Sequence, residues 1–167
     1  MSLDQNNPAV PDPIAAWTVE KGVVSLIHRT ARLSDEKRYL EWRALFTEDG
    51  EYSVITHENY TYKGLRLFRD VGQSALHERV AFLMGVLQTP RGKTVHLVSN
   101  IEVTIGDTVS ARSNFLVTRT SELEHTVLHA AGIYLDEFER RDGTWLFKSR
   151  LVIVDSNLLP AAFTELL

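Results

Sequence analysis

Thr94-Val95-His96-Leu97-Val98-Ser99-Asn100-Ile101-Glu102-Val103-Thr104-Ile105 alternates in side-chain character with a period of two, as a strand does when its two faces meet different surroundings. Val95, Leu97, Ile101, Val103 and Ile105 fall on one face, and Thr94, His96, Asn100, Glu102 and Thr104 on the other. Gly106-Asp107 follows and suits a two-residue hairpin turn. The pattern predicts a second strand over 109–120, a loop over 121–125 and a long third strand over 126–139. Asp142-Gly143 offers another tight turn, and a last strand sets Trp145, Phe147, Leu151, Ile153 and Asp155 on a single face. The second half of the chain therefore reads as a meander of long antiparallel strands.

Upstream, the period changes to that of helices. Val19, Val23, Leu26, Ile27 and Thr30 predict a first amphipathic helix of about four turns. Ser34 or Asp35 can cap a second helix that presents Tyr39, Trp42 and Phe46 and stops at Asp49-Gly50. A strand over 51–56 and a short strand over 65–68 flank a stretch without clear period. Gln73 or Ser74 then caps a third helix whose apolar stripe is Leu76, Val80, Leu83, Met84 and Leu87, ended by Pro90-Arg91-Gly92. Three helices combined with an antiparallel meander make an α+β architecture. Strands of this length twist, so the sheet should curl around the helices and leave a pocket at its open end. Residues 1–13, broken by Pro8, Pro11 and Pro13, read as a flexible arm or a strap on a neighbour, and 14–167 as a single domain.

Composition excludes several kinds of chemistry. A chain of 167 residues, 44% apolar and 24% charged, is long enough for one real core. The net charge of -4, with Lys and Arg interspersed among acids, gives no footprint for nucleic acid. No apolar run approaches the roughly 20 residues that cross a bilayer, and the start has no basic segment followed by an apolar one, so a cytoplasmic location is expected. The chain has no cysteine, which excludes disulfides, thiol catalysis and a Rieske centre within it. Histidines at 28, 57, 77, 96, 125 and 129 lack the spacing of a metal site, and no metal or other cofactor is expected in this chain.

Several strings, in order, carry a resemblance: Trp42-Arg43-Ala44-Leu45-Phe46-Thr47-Glu48-Asp49-Gly50-Glu51-Tyr52, Leu76-His77-Glu78-Arg79-Val80, His96-Leu97-Val98-Ser99-Asn100, and Gly132-Ile133-Tyr134-Leu135-Asp136 through Asp142-Gly143-Thr144-Trp145 to Arg150 and Asp155. Over about 14–160 the chain resembles the nuclear-transport-factor-2-like cone superfamily and, within it, the β subunits of aromatic-ring-hydroxylating dioxygenases. The resemblance implies a non-catalytic structural subunit. Its partner would be a dioxygenase α subunit carrying the Rieske cluster and a mononuclear iron, in a hexamer of three α and three β chains, so self-association to a trimer is also implied.

Thr94-Val95-His96-Leu97 is also similar to the strand that bears the catalytic histidine of scytalone dehydratase, a stand-alone enzyme of the same superfamily. That likeness implies a cofactor-free lyase or isomerase in which His96, paired with Asp35 and aided by Tyr52, is the general acid/base. Asp155, at the end of an apolar strand face, is a further pocket candidate, although a carboxylate there more often caps a turn or pairs with an Arg such as Arg150. The dehydratase's second histidine and its tyrosine pair have no convincing counterparts here. Finally, the apolar tail over 158–167 is expected to dock on its own domain or on a neighbour.

Overall fold

The computed structural model describes residues 12–85, 92–121, 125–157 and 166–167. Helix α1 spans Pro13–Asp35: Asp12 Oδ1 accepts from the Ile14 N–H at 3.1 Å, and Pro13 enters the first turn with its φ already helical. The helix thus begins earlier than Val19, and the remainder of the proposed arm, 1–11, lies outside the described residues. Lys37, with φ 57°, turns the chain out of α1. A single turn, α2 (Tyr39–Arg43), follows. Strand β1 (Phe46–Thr56) begins at once.

The second helix expected after Asp35 is therefore only one turn long, and Phe46 belongs to a strand. Tyr39, Trp42 and Phe46 are all buried, as the spacing suggested, but they reach the core from two elements. The Trp42 ring lies 4.8 Å from Phe46 and 5.0 Å from Tyr52, centroid to centroid. Asp49-Gly50 sits inside β1, where the pairing with the last strand is irregular between Phe46 and Glu51. A Cβ on Gly50 would stand 3.1 Å from the Thr47 carbonyl oxygen and 3.2 Å from that of Phe147, so glycine permits the bend there.

The stretch without period holds α3 (His57–Thr61), capped by Thr56, and β2 is Phe68–Val71, three residues later than the expected short strand. Helix α4 (Gly72–Gly85) buries Leu76, Val80 and Leu83. Met84, placed on the same stripe by sequence, is 55% exposed, and Leu87 and Pro90-Arg91 lie outside the described residues. The Gln73 side chain, expected to cap this helix, instead donates to the Phe46 carbonyl at 3.0 Å.

Strands β3 (Lys93–Ile105), β4 (Val109–Thr120), β5 (Val127–Arg141) and β6 (Thr144–Val154) form the expected meander. The β3–β4 connection has three residues, Gly106 to Thr108, not two. The described sheet runs β2-β1-β6-β5-β4-β3. It is mixed because β1 pairs parallel with β6. Buried residues of α1, α2 and α4 join those of the sheet's inner face in one core, so three helices cover the concave side, while α3 buries nothing.

Two strand faces differ from expectation for one physical reason: an extra residue reverses the parity of everything beyond it. In β3, Asn100 takes φ 51° and the pairing with β4 skips between Ser99 and Glu102. Thr94 and His96 consequently share the inner face with Ile101 and Val103, while Val95 and Leu97 are 38% and 57% exposed. In β6, Lys148 is passed over in the pairing with both neighbours, so Phe147 is followed on the inner face by Arg150, Val152 and Val154. Leu151, Ile153 and Asp155 turn the other way. At Gly132 the β6 backbone leaves no room for a side chain, since a Cβ there would stand 2.0 Å from the Ile153 carbonyl oxygen.

Candidate functional site

His96 enters the cone because it precedes the Asn100 bulge. Asp35, the last residue of α1, meets it with both carboxylate oxygens: Oδ2 accepts from the His96 backbone N–H at 3.0 Å, and Oδ1 lies 2.6 Å from ring Nδ1. This bidentate grip ties the end of α1 to β3 and fixes the ring. The other ring nitrogen, Nε2, is 3.2 Å from the carbonyl oxygen of Leu166. Both ring nitrogens thus lie within hydrogen-bond distance of oxygens, one from α1 and one from the tail.

Tyr52 rises from β1 into the same interior. Its hydroxyl donates to the Leu167 carbonyl at 3.3 Å and accepts from the Leu167 N–H at 3.0 Å. Burial pushes that hydroxyl up to about 12, only partly opposed by its contact with the Leu167 backbone. Leu166 and Leu167 are 3% and 2% exposed and belong to the core. His96, with Asp35 behind it, and Tyr52 therefore come together on the end of the tail. The tail does dock on its own domain at 166–167; the stretch 158–165 lies outside the described residues.

Asp155 does not join them. It is exposed just past β6, and its backbone N–H donates to Ala131 at 2.9 Å. Nor does it pair with Arg150, whose guanidinium takes Asp136 through two bonds of 2.8 Å between facing positions of β6 and β5. That pair was not foreseen. It is buried to 1% and 0% side-chain exposure, with the guanidinium 4.3 Å from the Tyr134 ring and 4.4 Å from that of Phe147. Burial pushes the Asp136 carboxyl up against the pull of Arg150. Burial also works against the charge on Arg150, yet Asp136 holds the guanidinium above its ordinary value, and the bidentate geometry is that of an ion pair. Asp136 and Arg150 both stand in the strings quoted above, but their meeting depends on a register that only the folded sheet sets.

On the opposite face of the sheet lies a groove of about 690 Å³, whose lining includes Glu51, Arg66, Glu102, Arg112 and Glu137, away from His96 and Tyr52. Arg66 and Arg69 both bind Glu51 at its edge, and the Glu51 carboxyl is held below the usual range by Arg69 and then Arg66. Among the described residues no three His, Cys, Asp or Glu side chains gather in a group that could hold a metal ion.

An open mixed sheet curled over three helices, with a histidine–carboxylate pair and a tyrosine inside, defines a cone-shaped α+β domain. Residues 17–151 match the SnoaL-like domain. The chain is 30% identical over 144 residues to the β subunit of 3-phenylpropionate/cinnamic acid dioxygenase of Photorhabdus laumondii, covering 76% of this chain and 79% of that one. It is 28% identical over 133 residues to β subunit 1 of the terminal oxygenase component of terephthalate 1,2-dioxygenase of Comamonas sp., covering 77% and 85%. Among solved structures, a β subunit assigned to an aromatic-ring-hydroxylating dioxygenase of Novosphingobium aromaticivorans superposes with a TM-score of 0.79 at 27% identity, covering 90% of this chain and 97% of that one. A protein of the same organism assigned as a scytalone dehydratase gives 0.70 at 20% identity, covering 90% and 98%, a likeness of fold alone. The chain belongs to the SnoaL-like domain family and, within it, to the β subunits of ring-hydroxylating dioxygenases.

Proposed function

We propose that this chain is the non-catalytic structural β subunit in the terminal oxygenase component of a multicomponent aromatic-ring-hydroxylating dioxygenase. Residues 14–167 act as one domain that holds an α subunit, and the Rieske cluster and mononuclear iron reside in that α chain. The observation that carries the non-catalytic part is the occupancy of the cone: Leu166 and Leu167 fill the position from which a substrate would reach His96 and Tyr52. Self-association to a trimer is part of the same reading, supported by the apolar surface of Val95 and Leu97 on β3, exposed at 38% and 57%, and of Leu128 on β5, exposed at 63%. The reading places the complex in the cytoplasm; among the described residues, no helix is long and apolar enough to cross a membrane.

Co-expression with a Rieske α chain tests the assignment. The expected result is a complex with equal amounts of the two chains that survives gel filtration. Separate elution from every α chain tried, with this chain a monomer or dimer, would overturn it.

One observation favours a second reading. The His96–Asp35 contact at 2.6 Å is a geometry a general acid/base can use, and a lyase or isomerase acting there without cofactor would require the tail to leave. That reading predicts dehydration or isomerisation by the isolated chain, lost in Asp35→Asn.

A further inference from the structure

The groups inside the cone address a peptide backbone. His96 Nε2 faces the Leu166 carbonyl, and the Tyr52 hydroxyl takes both the N–H and the carbonyl of Leu167. A hydroxyl used as donor and acceptor on one residue reads that residue's main chain, whatever its side chain. The side chains of Leu166 and Leu167 are read separately, by burial in a core that includes Trp42, Tyr52 and Leu26. The partners lie 70 and 115 positions apart in sequence, so residues of the cone remote in the chain hold the dipeptide. Asp35, Tyr52 and His96 stand on α1, β1 and β3, and the Asp35 carboxylate holds both the ring and the backbone of His96. Apolar walls with a few convergent polar groups on rigid elements are the construction of a ligand site.

We propose that the interior of the cone is a peptide-recognition site for a main-chain segment bearing two consecutive leucines, occupied in cis by Leu166–Leu167 and open to the same sequence in trans when the cis copy is removed. The proposal does not depend on the β-subunit assignment: the site can be present or absent whether or not an α chain binds. His96 and Asp35 act in it as holders of the bound peptide. Occupancy also sets whether the interior is available to any other molecule.

The test uses a chain ending at Glu165 and, as probe, a fluorescein-labelled peptide of residues 163–167, read by fluorescence anisotropy. The truncated chain is expected to bind the peptide saturably and the full chain not to bind it. His96→Leu in the truncated chain should weaken binding about tenfold, the scale of one buried hydrogen bond, and a peptide with both leucines replaced by aspartate should not bind. Absence of binding by a truncated chain with native circular dichroism, or equal binding by the truncated and full chains, overturns the proposal. Should truncation prevent folding, carboxypeptidase digestion of the full chain gives the answer. Release of the two leucines is expected to be at least about tenfold slower than from the free peptide and to be accelerated by Tyr52→Phe. Release at the rate of the free peptide overturns the proposal.

Discussion

Two polar clusters lie inside the same sheet and are completed in opposite ways. Arg150 and Asp136 face each other across β6 and β5, bonded twice at 2.8 Å and packed between Tyr134 and Phe147, so strand register alone completes the pair. His96 and Tyr52 are completed by Leu166 and Leu167, which arrive from the end of the chain. The first cluster can come apart only if the sheet opens, whereas the second comes apart if two residues withdraw. A buried pair of the first kind serves the fold. A buried set of the second kind is an occupied site.

The largest expected effect comes from breaking the register-bound pair. Arg150→Met leaves the Asp136 carboxylate buried without its partner and should cost about 3–5 kcal/mol in urea unfolding. Replacing both, Arg150→Met with Asp136→Leu, should recover most of that loss, because no buried charge is then left over. Full destabilisation in the double variant would mean that packing, not charge, is what the pair supplies.

Leu167→Ala should cost less, about 2 kcal/mol by the same assay, at the low end for a buried leucine. As the occupant of the proposed site, the tail contributes at most its own docking energy. A cost as large as that of Arg150→Met would show that the tail is as integral as the sheet.

Tyr52 sharpens the comparison through pH. Burial pushes its hydroxyl up to about 12 in the folded chain, from an ordinary value of 10.0. A group raised on folding contributes stability that is complete below the lower value and lost as pH rises toward the higher one. The urea midpoint of the parent should therefore fall between about pH 10 and 12, and that of Tyr52→Phe should fall less. Tyr134, also raised by burial, is common to both proteins and cancels in the difference. Parallel curves would place the titration elsewhere.

The smallest effect belongs to the outer face. Glu51, held low by Arg69 and Arg66, contributes stability that is present above its ordinary value and lost in acid. Its partners are substantially exposed, so Glu51→Gln should change stability by about 1 kcal/mol or less at neutral pH, and by less still in 1 M salt.

The parts of this molecule that were legible in its sequence are those written locally. The period of two over 94–105 and the Asp142-Gly143 turn, where both residues take positive φ, placed the hairpins. The apolar spacing from Val23 to Ile27 placed α1. Face assignments failed beyond Asn100 and Lys148 because one inserted residue inverts parity without leaving a local pattern. The helix read across Tyr39, Trp42 and Phe46 failed because burial from two elements can mimic one helical stripe. Of the candidate site, the convergence of His96, Asp35 and Tyr52 could be expected from a likeness. Its occupant could not, since an apolar tail shows that it will be covered and not where. The Arg150–Asp136 pair was hidden for a related reason: two charges meet only once the register of their strands is set.

The central claim, that this chain supports chemistry done elsewhere, is tested most directly by reconstituted turnover. A Rieske α chain, with its electron-transfer components, would be assayed with and without stoichiometric amounts of this chain, on terephthalate and 3-phenylpropionate, the substrates in the names of its relatives. Dihydroxylation that rises with added chain to a plateau at equal stoichiometry, with no conversion by this chain alone, is the predicted result. Full activity of the α chain without this one, or conversion by this chain alone, would contradict it.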